Sequence, residues 1–267
     1  MVRPLPVALF AIAAGCSSGA AGAQTRWIDD QHVLPATRVR LSAGVGFSQF
    51  QYSGIQTYGT GLSLEEALGI GQGLELGARF GLRPDHDGRG LRADELARGA
   101  DTETFGTGLS ITANPELRLR WRFGRWNWGE ASAENRLVLP IKPDPDVTEV
   151  LGARVSARFA GLGRVDVGLN GILTWRSVET GHVLEGGLSV PVQVWFNLTR
   201  GLFVGALSST RTFAATSVTS GATRVLMGLG AGYRLGACDL LLSGYLLDLV
   251  NDATDRRGVG LTFACMM

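Results

Sequence analysis

The chain has almost no net charge, few metal-binding residues and no long apolar run beyond its N-terminus. Its formal net charge is +1 over 267 residues, and only 18% of the residues are charged. This balance gives no support to a nucleic-acid partner. Three histidines and three cysteines are too few to argue for a metal site, and no cofactor is expected. Without a later apolar run of about 18 residues, the chain is not predicted to cross a membrane as a helix.

What the sequence does have is alternation. In residues 116–123, the apolar Leu117, Leu119, Trp121 and Phe123 are interleaved with Glu116, Arg118, Arg120 and Arg122. A period of two predicts a β-strand with one apolar and one charged face. Similar alternation recurs along most of the chain, and glycine is abundant at 38 residues. Exported strands with one apolar and one polar face are typical of a transmembrane β-barrel.

The N-terminus has the pattern of an export signal. Arg3 supplies a positive charge and residues 5–14 form a short apolar region, which is too short to remain as a membrane span. Two processing alternatives stay open. Cleavage after the small-residue site 21–23 makes residues 1–23 a signal peptide, whereas a lipobox-like sequence would make Cys16 a lipidated N-terminus. Residues 24–38 are then a periplasmic N-terminal segment, and residues 39–267 are the barrel.

The alternating stretches give about twelve strands of about ten residues, the length that a tilted spanning strand needs. The connections fall into two sets. Those at one end are short, at 69–73, 124–130, 160–163, 197–201 and 235–238. Those at the other end include the long segment 84–115 together with 142–147, 177–181, 212–221 and 250–256. This count assigns Phe105–Ala113 to the long loop, although that segment also alternates.

Over residues 39–265 the chain resembles the porin-like outer-membrane β-barrel proteins of Gram-negative bacteria. Its last strand, Gly258–Phe263, is similar to the C-terminal signal that barrel-assembly machinery recognises in such proteins. The resemblance implies an all-β, antiparallel transmembrane barrel in the cell outer membrane, with short periplasmic turns and longer extracellular loops. It also implies outer-membrane lipid and the assembly machinery as partners. The resemblance does not select a subfamily, and the fold alone does not define a function.

Strand parity predicts which charged side chains face the lumen. Arginines outnumber carboxylates among them, and rings of arginine lining a pore favour anions. The alternative is that these arginines pair with the carboxylates and fill a non-conducting interior. The long loop 84–115 could likewise enter the lumen, or remain a solvated external loop. Residues 24–38 could plug the barrel from the periplasmic side, or simply tether it. The predicted lumen-facing residues are Arg79, Arg83, Arg118, Arg120, Arg122, Arg136, Arg154, Arg158, Arg176, Arg224, Arg234, Glu75, Glu116, Glu134, Asp166 and Glu185.

These observations favour a passive pore for small solutes, preferentially anions. A non-conducting barrel that supports the envelope or displays its loops is an alternative. A transporter of hydrophobic solutes is another, because several inward positions are only Gly or Ser. A membrane lipid hydrolase is the least favoured, because it would need a histidine paired with a nucleophilic serine. His32, His86 and His182 lack a His-x-Ser context, so no catalytic residue and no enzymatic activity are predicted.

Cys238 and Cys265 are predicted to form a disulfide. In a hairpin centred on Asn251 and Asp252 the two cysteines lie opposite each other. An oxidising periplasm permits the bond. Closing a loop of about 26 residues would stabilise the fold by roughly 2–4 kcal/mol.

Overall fold

A computed structural model describes residues 26–52, 55–82, 112–139, 147–159, 161–178, 181–214, 222–246, 249 and 256–267. The described chain begins with a short 3-10 helix at Trp27–Asp29 and continues as twelve strands. None of the described residues belongs to a helix long and apolar enough to cross a membrane. The strands are β1 (Val39–Tyr52), β2 (Ile55–Gly71), β3 (Leu74–Leu82), β4 (Thr112–Trp126), β5 (Gly129–Val138), β6 (Val147–Phe159), β7 (Gly163–Val178), β8 (Gly181–Asn197), β9 (Leu202–Phe213), β10 (Ala222–Leu235), β11 (Cys238–Leu246) and β12 (Arg256–Met266).

The strands form one closed barrel in which each pairs antiparallel with its neighbours in sequence and β1 pairs with β12. The predicted all-β barrel of about twelve strands is therefore confirmed. Closure leaves no unpaired sheet edge, and the period-two pattern divides the side chains between an inner and an outer wall. The observed strands are mostly longer than predicted, since β2 and β8 each span 17 residues.

The two ends of the barrel differ in the connections they carry. The short connections at 72–73, 127–128, 160–162, 198–201 and 236–237 lie at one end, together with the start of β1 and the end of β12. We call this the short-turn end and the opposite one the long-loop end. The β2–β3 turn needs its glycines, because Gly71, Gln72 and Gly73 all have positive φ angles. Of the segment 105–113, Thr112 and Ala113 belong to β4, and residues 105–111 lie outside the described residues.

The outer wall is apolar and carries aromatic side chains near the short-turn end. Leu229 is 71% exposed, and Trp121 and Phe123 are each 54% exposed, as expected of side chains that face lipid. Tyr233 and Phe196 are exposed at the same end. Trp195, one residue before Phe196 on β8, does not belong to this aromatic belt. Trp195 is 0% exposed, because its odd position on β8 points it into the barrel.

Proline is accommodated inside the barrel wall without a bulge. Proline lacks the N–H that a central strand donates to its ladder, and a β-bulge commonly accommodates it. Instead, Pro191 stays in register with Ser209 on β9, and the β7–β8 register is the same on either side of it. Gly168 makes this possible, because a Cβ there would lie 2.9 Å from the proline Cγ.

The predicted disulfide is present in the structure. Cys238 and Cys265 are register partners on β11 and β12, and their sulfur atoms are bonded. Cys265 also pairs with Leu41 across the β1–β12 seam. The bond therefore ties the last hairpin at the short-turn end, beside the seam that closes the barrel.

Candidate functional site

The residues before β1 lie inside the barrel mouth at the short-turn end. We call residues 26–38 the N-terminal segment. Its Ile28 and Val33 are 0% exposed and its Leu34 is 1% exposed, and its contacts are with inward-facing side chains of the strands. Of the two arrangements that the sequence left open for this segment, the structure favours entry into the barrel.

Aromatic packing fixes the start of the N-terminal segment. The ring of Trp27 stacks on Phe203 with a centroid distance of 4.9 Å and an interplanar angle of 14°. It also contacts Trp195 at a centroid distance of 4.9 Å. Ile28 belongs to the same buried cluster. Large buried rings contribute both apolar area and ring–ring attraction, so this contact is an apolar anchor.

Asp30 is the second anchor and is held by arginines. Arg234 Nη1 donates to Asp30 Oδ1 at 2.9 Å, and Arg234 also bonds Asp239 on β11. The backbone carbonyl of Asp30 accepts bonds from Arg164 Nη1 at 2.7 Å and Arg158 Nη2 at 3.4 Å. Charge-assisted bonds of this kind are the stronger class in proteins.

Carboxylates of the wall accept hydrogen bonds from the backbone of the segment. The amide of Leu34 donates to Glu75 Oε2 at 2.9 Å, and the amide of His32 donates to Glu130. His32 is itself buried. Burial, and then the positive charges of nearby arginines, hold the pKa of His32 well below its ordinary value. The imidazole is therefore neutral while the segment lies in the barrel.

The inner face of β1–β5 is a network of ion pairs, which we call the charged wall. Glu65 contacts Arg118 Nη2 at 2.6 Å and Arg79 Nη2 at 3.2 Å. Glu75 contacts Arg118 at 3.2 Å and Arg120 at 3.3 Å. The remaining members continue the network around the same face: Arg40 bonds Glu65 and Glu75, Arg79 bonds Glu116, and Arg120 and Arg136 both bond Glu134.

The inner face of β8–β11 carries a cluster of large buried apolar side chains among polar ones such as Gln193, Ser209 and Arg211, and we call this cluster the apolar wall. Glycines give its rings room. A Cβ at Gly230 would lie 2.7 Å from Trp195 Cη2, and a Cβ at Gly232 would overlap the ring of Phe203. The buried apolar members of this wall are Trp195, Phe203, Leu207, Leu226, Leu241 and Tyr245.

A cavity of about 100 Å³ lies against the N-terminal segment, between these two walls. Arg40, Arg120, Arg154 and Arg164 line it, with His32 from the segment. Arg154 differs from the other arginines of the cavity, because no hydrogen bond or ion pair within 4 Å joins its guanidinium to another described residue. A cavity of this size can hold water or a small ion.

Most of the sequence-predicted lumen residues are brought together on the inner wall. Glu75, Arg79, Glu116, Arg118, Arg120, Arg136, Asp166 and Arg234 are buried, and Arg122, Glu134, Arg154, Arg158 and Glu185 are half-buried. Arg83 and the side chains of Arg176 and Arg224 lie outside the described residues. The sequence left open whether these arginines form a ring that lines a pore or pair with carboxylates. In the structure, most of the described ones are paired with carboxylates.

Several inner-wall residues were missed by the sequence analysis. Arg164 and Asp239 lie at strand ends, where a period-two stripe is hard to extend. Arg40 and Glu65 lie on the parity that the alternation marks as inward, so the signal was present. Arg211 lies on β9, whose two faces are both apolar in sequence. The missed group comprises Arg40, Glu65, Glu130, Arg164, Arg211 and Asp239, and with three arginines and three acids it leaves the predicted surplus of arginine unchanged.

The histidines do not change the functional assignment. His182 pairs in register with Ser177, but the side chain of Ser177 lies outside the described residues, as does His86. His32 is buried within the N-terminal segment, where its backbone amide donates to Glu130. The absence of catalysis stays a prediction.

Comparisons with known proteins agree with the barrel fold. No protein-family model and no curated protein matches the sequence. Among solved structures, the chain is similar to an outer membrane channel from Pseudomonas putida F1, with a TM-score of 0.63, 11% identity, 90% of this chain and 98% of that chain covered. It is similar to the NanC porin, with a TM-score of 0.61, 5% identity and coverages of 84% and 98%. For the KdgM porin the TM-score is 0.51, the identity 7% and the coverages 83% and 98%. At these identities the likeness concerns the fold.

Proposed function

We propose that the protein is an outer-membrane channel for small solutes, with a preference for anions, whose short-turn mouth is closed by the N-terminal segment. The barrel fold, its apolar outer wall and the export signal support placement in the outer membrane. Export through residues 1–23, surrounding lipid and assembly through the C-terminal strand belong to the same proposal.

Arg154 is the observation that carries the anion preference. Among the described residues, no hydrogen bond or ion pair within 4 Å joins its guanidinium to a partner. The cavity that it faces is lined by three further arginines and by Asp30, Asp166 and Asp239. The fixed positive charge of such a site raises the local concentration of anions. The ion pairs of the charged wall, in contrast, leave little uncompensated charge there.

If the N-terminal segment closes the mouth, the channel can conduct only after the segment is released. The segment is held by an apolar anchor at Trp27 and a polar anchor at Asp30, and both must be released for the mouth to open. A channel of this design conducts rarely when intact and steadily when both anchors are weakened.

The test is planar-bilayer recording on the refolded mature protein under a KCl gradient. We expect rare conductance steps from the wild type and sustained ones from Trp27→Ala/Asp30→Asn, both reversing toward the chloride potential. Arg154→Ala should shift the reversal potential toward zero, whereas Arg125→Ala, at an exposed position at the end of β4, should not. Reversal toward potassium would reject the anion preference, and silence of both the wild type and the double variant would reject the channel.

A non-conducting, structural barrel is the second candidate, favoured by the ion pairs that occupy the inner face of β1–β5. It differs from a closed channel in one respect that can be measured. A structural barrel does not conduct even after the segment is released. Circular dichroism and heat-modifiable electrophoretic mobility verify that the double variant is still a folded barrel.

Acidic oligosaccharides are suitable first solutes. The KdgM porin has been solved in complex with disordered oligogalacturonate, which is a polyanion. Block of the Trp27→Ala/Asp30→Asn channel by a short galacturonate oligomer, with a neutral oligosaccharide as the control, would extend the anion preference to a solute class.

A further inference from the structure

One sector of the outer wall carries a carboxyl group and an amide at a depth where most outward side chains are apolar. On β2 the outward stripe consists of Leu62, Leu64, Leu68 and Ile70, and Glu66 interrupts it as an exposed carboxyl group. Among the other described outward charged groups, Arg125 and Arg257 lie at strand ends, and Glu149 is the third residue of β6. Ionisable side chains facing lipid within a membrane span are unfavourable and therefore mark candidate functional surfaces.

Asn135 on β5 is a second polar group in the same sector, at the same depth. Glu66 precedes the last residue of β2, Gly71, by about five positions, and Asn135 follows the first residue of β5, Gly129, by about six. Both strand termini are at the short-turn end. Because neighbouring strands share one tilt, equal distances along them give nearly equal heights in the membrane.

A groove of about 410 Å³ lies between the two polar groups. Ala78 lies at the floor of the groove, because its side chain is shorter than those of the leucines around it. Glu66 borders the groove on the β2 side and Asn135 on the β5 side. The apolar lining consists of Leu68, Leu76, Ala78, Leu117, Leu119 and Leu137, and we call this surface the lateral groove.

The two polar groups have complementary hydrogen-bonding needs. Asn135 Nδ2 donates to Glu149 Oε1 at 2.9 Å, which leaves its second N–H available. No hydrogen bond or ion pair within 4 Å joins Glu66 to another described residue. In lipid, where water cannot satisfy it, the Glu66 carboxyl group is stabilised by a partner that brings an amide N–H.

We propose that the lateral groove is the interface of a homodimer in the membrane, in which Glu66 of each copy bonds Asn135 of the other. A twofold axis along the membrane normal preserves depth, so only groups at equal depth can meet across it, as Glu66 and Asn135 can. Such an interface is self-complementary, with each contact made twice. The leucines of the two grooves pack between the reciprocal bonds. This inference rests on the membrane placement made under Proposed function.

Cysteine cross-linking in cells tests the pairing of residues. Glu66→Cys and Asn135→Cys are placed on differently tagged copies, which are co-expressed, oxidised and recovered from the outer-membrane fraction. The native Cys238 and Cys265 are already bonded to each other. We expect at least tenfold more cross-linked dimer from the mixed pair than from either variant alone, and none from Leu229→Cys, which is exposed on β10. Equal cross-linking from Leu229→Cys, or none from the mixed pair, would overturn the proposal.

Mass measurement in lipid nanodiscs distinguishes the dimer from other occupants of the groove. The wild type should appear as a dimer, and Glu66→Leu, which keeps the groove apolar but removes the bond, as a monomer with an unchanged barrel spectrum. A monomeric wild type, whether the groove holds lipid or another protein, would contradict the proposal. Absence of the protein from the outer-membrane fraction would instead count against the proposed function, because the channel test on a single barrel is independent of the dimer.

Discussion

The charged wall and the apolar wall face the same lumen and are stabilised in opposite ways. On the charged wall, buried carboxylates such as Glu75, at 0% exposure, are shared among several arginines. On the apolar wall, glycines leave room for the rings of Trp195 and Phe203. The first wall depends on every charge having a partner, and the second depends on space.

This difference shows that the inward side of a barrel strand need not be polar. Parity decides only which side chains share a wall, and what fills the lumen decides whether that wall is charged or apolar. The N-terminal segment contacts both, since Trp27 packs on the apolar wall while the amide of Leu34 donates to Glu75 of the charged wall. Asp30 bonds Arg234 on β10. The contribution of each wall to holding the segment in the barrel can therefore be tested separately.

The largest effect is expected from removing a shared carboxylate. In Glu75→Gln the shape is kept, but Arg118 and Arg120 lose their common partner. Breaking a buried ion pair on one side leaves an uncompensated charge and typically costs about 3–5 kcal/mol. We expect a decrease of that size in the free energy of unfolding, measured by urea denaturation of the barrel in detergent micelles.

Asp29→Asn is the matched control for this measurement. Asp29 pairs with Arg26 at 3.0 Å, but both side chains are more than a third exposed. Exposed pairs contribute at most about 1 kcal/mol. If Glu75→Gln and Asp29→Asn lowered the free energy of unfolding by similar amounts, the charged wall would be solvated and would not depend on its ion pairs. The contrast with the apolar wall would then disappear.

A smaller effect is expected from filling space on the apolar wall. In Gly232→Ala the added methyl group overlaps the ring of Phe203, and such overpacking costs about 1–3 kcal/mol. Gly244→Ala, on the adjacent strand β11, is the control because a Cβ there meets nothing within 4 Å. Thermal unfolding should separate the two variants, and equal melting temperatures would mean that the ring is free to move aside.

The sequence could predict the barrel but not the contents of its lumen. Alternation identifies strands, and the pairing of Cys238 with Cys265 follows from hairpin symmetry, so these features were confirmed. The burial of Trp195 follows from its odd position on β8 and not from its aromatic character, which would equally suit the outer belt. The docking of residues 26–38 depends on contacts such as Asp30 with Arg234, which are far apart in sequence and leave no periodic signal.

The two anchors of the N-terminal segment should differ in strength. Trp27→Ala removes two ring contacts, each of about 0.5–1.5 kcal/mol in addition to the buried apolar area. Asp30→Asn keeps the bonds that Arg164 and Arg158 make to the backbone carbonyl. We therefore expect faster amide hydrogen exchange at residues 31–34 in both variants, by roughly tenfold for Trp27→Ala and by less for Asp30→Asn. The reverse order would make the polar anchor at Asp30 the stronger of the two.

The smallest expected effect is a pH dependence of the docking of the N-terminal segment, caused by His32. Burial, and then Arg120, Arg154, Arg164 and Arg40, lower the pKa of His32 in the docked segment, whereas a released segment regains a pKa of about 6.5. The docked form thus binds fewer protons. Docking is fully favoured above about pH 6.5 and weakens as the pH falls, by at most about 1.4 kcal/mol per pH unit.

His32 is not alone in this environment, since Glu130 accepts its backbone N–H and Asp166 lines the same cavity. Comparing pH 7.5 with pH 5.5 keeps the measurement above the usual titration range of carboxylates. Channel opening should rise at pH 5.5 in the wild type and stay unchanged in His32→Gln, whose side chain is neutral at both values. An equal rise in both proteins would assign the acid response to the carboxylates of the wall, and the histidine would then only fill space between the two walls.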